Sequence, residues 1–185
     1  MTKKKDEEVK EKIEPVVAIY SGERILADNS GLAKDIYDNS RYGEIIQDKI
    51  QYSIVETLYL LEKGKLIVRE KRKQLNAKEL TNKAKRLEPN FWVRYVVYKD
   101  IRDRGYIIKT ALKFGADFRV YERGVKPGED HAKWVVFPVN ENKVMTWHDF
   151  AAKNRVAHST RKRLLLAVVD DEGDVSYWES RWIRP

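Results

Sequence analysis

Apolar and polar positions along the chain change period several times, and each change predicts an element. VVAIYSGERILAD, residues 16–28, reads as two short strands around a Ser21-Gly22 turn. Gly31 to Tyr37 fits a short helix, and EIIQDKIQ, residues 44–51, a hairpin turning near Asp48. Ser53 and Glu56 then stand at capping-box spacing. Ile54, Leu58 and Leu61 follow at helical spacing, and Gly64 supplies a stop. Asn76 and Glu79 repeat the capping spacing and open a second helix, Asn76 to Leu87.

The pattern changes at Pro89-Asn90, which predicts a domain boundary there. Phe91 to Arg104 is a helix with an aromatic and aliphatic face, closed by Gly105. Strands are expected at Tyr106–Lys109, Phe118–Tyr121 and Trp134–Val139, and a helix at Thr146–Asn154 with Thr146 and Asp149 as its cap pair. LLLAVVD, residues 164–170, is a continuous apolar run and so a strand buried on both faces. DDEGD, residues 170–174, turns into a last strand, Val175–Trp178, and a tail, Arg181–Pro185. Strands alternating with helices indicate an α/β or α+β C-terminal half. The expected division is a charged, frayed tail over residues 1–14, an N-terminal α/β domain over 15–88 and a C-terminal domain over 89–185.

Composition narrows the functions. An apolar fraction of 42% in 185 residues suffices for a core. No stretch reaches the roughly 18 apolar residues that span a bilayer, so no membrane partner is expected. The opening MTKKKDEEVKEK has no apolar segment behind it and is not a signal peptide, which points to a cytoplasmic protein. Zero cysteines rule out disulfides, thiolate catalysis and cysteine-ligated zinc. With 37 Lys and Arg against 29 Asp and Glu, the net charge is +8. Such a surface concentrates polyanions such as nucleic acid, although many proteins are this basic without binding one.

The chemistry is sparse. Asp117 begins a strand, but no acidic-x-Lys pair follows it to hold a hard cation. Three histidines lack zinc-site spacing, and no glycine-rich phosphate loop is present; no cofactor is expected. There remain single polar residues at the edges of the C-terminal strands: Tyr121 ending DFRVY, His131 in the loop GEDHA, and Lys162 in RVAHSTRKR. Each has an ordinary reading too. A strand-end tyrosine packs, a loop histidine beside Glu129 and Asp130 is solvated, and a lysine among charges lies on the surface. His158 in His158-Ser159-Thr160 lacks the second His-x-Thr of two-histidine phosphoesterases, because His131 is followed by Ala132 and Lys133. It is read as structural or RNA-contacting.

Two long strings, VYKDIRDRGYIIKTALKFGADFRVYERG (97–124) and RVAHSTRKRLLLAVVDDEGDVSYW (155–178), resemble the archaeal tRNA-intron endonucleases. Arg41-Tyr42-Gly43 and SIVETLYLLEKG (53–64) extend the resemblance more loosely to the first half. It implies an α/β (α+β) fold: a small N-terminal α/β domain and a C-terminal restriction-nuclease-like domain with a mixed central sheet. It implies an active subunit, because Tyr121, followed by Gly124, His131 and Lys162 match the family's catalytic trio. The implied reaction is metal-independent cleavage of precursor tRNA at bulge–helix–bulge motifs, giving a 2′,3′-cyclic phosphate and a 5′-OH. Lys162 is expected to ease ionisation of the Tyr121 phenol. Arg155 and Trp182 match residues that clamp a bulge base. Asp170, Asp171, Glu172 and Asp174 match an acidic loop that joins dimers, although by itself this segment is an ordinary polar turn. The implied particle is a homotetramer, or a heterotetramer with a structural subunit. A noncatalytic RNA-binding or structural subunit is the alternative, and a metal-dependent DNA nuclease a third reading. No inserted loop stands between Tyr42 and Ser53, which favours the strict motif.

Overall fold

The computed structural model describes residues 14–22 and 24–183. Apart from Glu14, the segment expected to fray lies outside the described residues, as do Arg184 and Pro185 of the tail. Six strands make the first sheet: β1 (Val16–Ser21), β2 (Arg24–Asp28), β3 (Glu44–Ile46), β4 (Lys49–Tyr52), β5 (Leu66–Glu70) and β6 (Lys73–Leu75). Their order is β3-β4-β2-β1-β5-β6, and only β1 and β5 run parallel. Helices α1 (Gly31–Ser40), α2 (Ile54–Glu62) and α3 (Ala77–Leu87) accompany it. Along β1, Val16, Ala18 and Tyr20 are buried while Val17 and Ile19 face outward, so only one face of this sheet carries core.

The β5–β6 hairpin is absent from the sequence reading. Its segment KLIVREKRKQL is dense in charge, which hides the buried Leu66, Val68 and Leu75. Its turn places Lys71 at φ 53, with no glycine, asparagine or proline to mark the reversal. The three capping boxes, Ser53 with Glu56, Asn76 with Glu79 and Thr146 with Asp149, are all formed.

The second sheet is mixed. It contains β7 (Ile108–Thr110), β8 (Phe118–Val120), β9 (Trp134–Asn140), β10 (Arg163–Val169) and β11 (Val175–Ser180), in the order β11-β10-β9-β8-β7. Only β9 and β10 are parallel. Helix α4 (Phe91–Asp103) packs on one face and α5 (Trp147–Ser159) on the other. Leu165, Ala167 and Val169 join the core that contains α4, while Leu164 and Leu166 pack with Phe150, Val156 and Ala157 of α5. The apolar run of β10 is therefore covered on both faces, as its composition predicts, although Leu165 and Leu166 are only half-buried.

Helix α5 runs on past Asn154 to Ser159. Ala157 is buried against the sheet, and that contact keeps the RVAH segment helical beyond the expected end. Arg155 and His158 therefore lie on a helix. No helix among the described residues is long and apolar enough to cross a membrane.

Helix α4 also touches α2 and α3, so one core cluster runs from Val16 to Val169 between the sheets. Polar contacts fix the same junction. Lys109 on β7 sends its Nζ to the carbonyls of Arg41 (3.1 Å) and Gly43 (2.6 Å) and to Glu56 Oε1 (3.1 Å). The Gly43 N–H donates to the same Glu56 oxygen at 3.2 Å. Arg41 ends α1 in the left-handed region, at φ 56. A Cβ on Gly43, whose φ is +76, would lie 2.4 Å from Ile50 Cγ2. Arg41-Tyr42-Gly43 thus turns two carbonyls onto one ammonium, a job for backbone geometry.

Candidate active site

One ladder rung organises the site. Trp134 at the start of β9 is paired with Val120 at the end of β8 and with Arg163 at the start of β10. Backbone bonds continue it: the Lys133 N–H donates to the Val120 carbonyl, and the Arg163 N–H to the Lys133 carbonyl, both at 2.9 Å. Tyr121 follows Val120 and Lys162 precedes Arg163. Because β8 is antiparallel and β10 parallel to β9, the end of one and the starts of the others share one edge of the sheet. Two strand spacings separate Tyr121 from Lys162, about 10 Å between Cα atoms.

The pleat also sets the face. Val135 and Leu164 face α5 in the second core. Arg119 is paired with Val135 and so points the same way, and Tyr121 and Lys162 share that face by alternation. His131 is exposed in the loop between β8 and β9, and its N–H donates to Asp130 Oδ1 at 2.6 Å. It lies three residues before Trp134, within about 10 Å of it. The register therefore gathers Tyr121, His131 and Lys162 at one end of the sheet.

The electrostatics differ from expectation in one respect. Burial pushes the Tyr121 phenol above its ordinary value; the Arg119 guanidinium pulls it down and the Glu44 carboxylate of β3 pushes it up, and burial wins. Tyr121 is only 5% exposed. Its phenol is thus harder to ionise than in water, contrary to the expectation of a lowered value. Lys162, whose Nζ donates to the Thr160 carbonyl at 2.9 Å, is held below its ordinary value by burial and then by Arg119.

Trp182 lies at the same end of the sheet, because β11 runs antiparallel to β10 with Ser180 opposite Leu164. Its indole is 60% exposed and packs on the His158 ring, with 4.8 Å between centroids. Arg155 is exposed one helical turn before His158. Glu179 fixes the end of β11: it accepts from Trp134 Nε1 at 2.7 Å and Arg181 Nε at 2.6 Å, and pairs with Arg163 at 3.3 Å. The contact of His158 with Trp182, the clamp at Glu179 and the placement of Arg119 escaped sequence reading. Arg119 carried a signal, standing two residues before Tyr121 on a strand, and His158 had drawn attention only through its His-x-Thr string.

The acidic residues do not join this cluster. Asp170 to Asp174 turn at the far end of β10, about 23 Å from Lys162 along a seven-residue strand. Asp170 caps its own turn by accepting the Asp174 N–H at 2.8 Å, and Asp171 accepts from Asn142 Nδ2 at 3.1 Å. Asp171, Glu172 and Asp174 are exposed.

Comparison with known proteins gives the same order of parts. Residues 17–81 match the model of the tRNA intron endonuclease N-terminal domain, and residues 91–177 that of its catalytic C-terminal domain. A tRNA-splicing endonuclease of Thermococcus gammatolerans is 38% identical over 169 residues, 91% of this chain and 99% of its own length. One of Pyrococcus horikoshii is 39% identical over 92% of this chain and 98% of its own length. One of Nanoarchaeum equitans is 44% identical over 76% of this chain and 94% of its own length. With both domains matched in order and relatives aligned along nearly their full lengths, the chain belongs to the tRNA intron endonuclease family.

Proposed function

We propose that this protein excises introns from precursor tRNA by metal-independent internal transesterification at bulge–helix–bulge motifs. The observation that carries this reading is the Val120–Trp134–Arg163 rung, which flanks Tyr121, His131 and Lys162 on one sheet edge. The 2′-oxygen attacks its own neighbouring phosphorus. A new O2′–P bond forms and the P–O5′ bond breaks. Tyr121 takes the 2′-OH proton, His131 gives one to the departing 5′-oxygen, and Lys162 stabilises the added charge on phosphorus. The products are a 2′,3′-cyclic phosphate and a 5′-OH, and DNA, lacking the 2′-OH, is not cut.

Base selection belongs to Arg155 and Trp182. An unstacked bulge base is held by the guanidinium and the indole, and the His158 ring packs against the indole. Two cleavage sites in one RNA call for two active centres in a symmetric particle. The exposed carboxylates of Asp171, Glu172 and Asp174, on a turn that Asp170 pre-shapes, are the contact that joins dimers into a tetramer.

The test is incubation of the purified chain with an intron-containing precursor in EDTA, followed by end-group analysis. Cyclic phosphate and 5′-OH ends are expected. Cleavage abolished by EDTA, or 5′-phosphate ends, would overturn the chemistry, and an RNA bound but uncut would indicate a noncatalytic subunit. For assembly, D171N/E172Q should lower the mass seen by light scattering at high salt and low concentration; an unchanged mass would remove these residues from the contact.

A further inference from the structure

Tyr121 poses a difficulty. It is buried, and burial makes its phenol a reluctant acid, yet proton removal from the 2′-OH calls for phenolate. The structure contains a built-in counterweight. Arg119 lies two residues earlier on β8, on the face shared by Tyr121 and Lys162, one rung deeper in the sheet. It is half-buried, so its field is screened less than that of a surface charge. Directly across β7 stands Lys109. Like charges opposed on neighbouring strands cost stability, and Lys109 relieves that cost by leaving the sheet for Glu56.

We propose that Arg119 is a positioning residue for the cleavage reaction: a permanent positive charge beneath the site that favours the phenolate form of Tyr121 and sets the charge balance between it and Lys162. This rests on the catalytic reading given above for Tyr121 and Lys162. The groups facing the phenol are Arg119 from its own strand and Glu44 from β3, with Lys162 and His131 at the same sheet edge. Arg119 and Glu44 act in opposite senses, so their removal moves the phenol in opposite directions. Burial and Arg119 act together on Lys162, so losing Arg119 also lets Lys162 keep its proton to higher pH. Arg119 acts through other groups and forms no bond to the reacting atoms.

The test combines titration with rate. The Tyr121 phenol is followed by ¹³C NMR of the full chain carrying ring-labelled tyrosine, with Y121F to assign the signal. Cleavage of a bulge–helix–bulge RNA is measured across pH in single turnover. In R119M the phenol should titrate at higher pH, and each pH unit of displacement lowers the phenolate fraction about tenfold at neutral pH. Cleavage should slow accordingly at pH 7, and the limb of the pH–rate profile set by the phenol should move to higher pH. R119K, which restores a cation, should return both readouts toward the parent, and E44Q should move the phenol the other way. An unchanged phenol titration and pH–rate profile in R119M would overturn the proposal. So would equal losses in R119K and R119M at every pH, which indicate a purely structural side chain. If the parent chain leaves the RNA intact, the catalytic reading fails by itself, while the NMR arm still decides whether Arg119 governs the phenol.

Discussion

The Nζ of Lys109 on β7 lies 3.1 Å from Oε1 of Glu56 on α2, and both side chains are 5% exposed or less. Burial raises the carboxyl of Glu56, but Lys109, the Ser53 cap contacts and Arg102 outweigh it and leave the group below its ordinary value. The pair is the polar keystone between the two sheets. K109M should destabilise the protein by about 3–5 kcal/mol, because it strands a buried carboxylate. Denaturant unfolding measures this, and K109M/E56Q should lose less than the sum of the two single changes.

Gly43 belongs to the same junction. Its positive φ and the 2.4 Å approach of Ile50 Cγ2 to any Cβ leave no room for a side chain. G43A should lower the melting temperature and loosen the Lys109 cradle. Hydrogen exchange should show faster opening around β4 and β7, with the distant β10–β11 hairpin less affected.

Asp103 at the end of α4 has its carboxyl lowered to about 2; burial opposes this, but hydrogen bonds from Lys63, Tyr59 and Lys99 prevail. A carboxyl held below its unfolded value contributes stability above that value and loses it as pH falls through the folded one. The contribution should fade between about pH 4 and the lowered value near 2. Urea midpoints measured across this range should fall with a shallower slope in D103N than in the parent. Partial exposure makes this a modest term.

Y121F, H131A and K162A should each slow single-turnover cleavage by about 10²–10⁴, while RNA affinity stays near the parent value. A variant that loses affinity instead of rate would reassign that residue to binding. Circular dichroism separates either outcome from unfolding.

W182A should weaken binding of a bulged RNA by about 1–3 kcal/mol and leave affinity for a fully paired duplex unchanged. H158A should reproduce part of the loss, because the imidazole supports the indole. Full affinity after W182A would remove the indole from the base clamp.

The chain's local signals determined its local structure. Capping pairs at Ser53, Asn76 and Thr146, the helical spacing after them and the apolar run of β10 act within a turn or along one strand, so residues a few positions apart reveal them. The β5–β6 hairpin escaped notice because charge hides its buried face. The long resemblance strings identified the family and named Tyr121, His131 and Lys162, but no spacing in the sequence says that these three lie at one end of a sheet. That was decided by strand order and register. Trp134 has Val120 and Arg163 as neighbours only because β9 lies between an antiparallel and a parallel strand. Only in the fold does Lys109 find Glu56 across 53 positions of chain and Arg119 stand beneath a buried phenol. Such contacts carry no local periodicity; they exist because packing brings distant segments together and strips water from their charges.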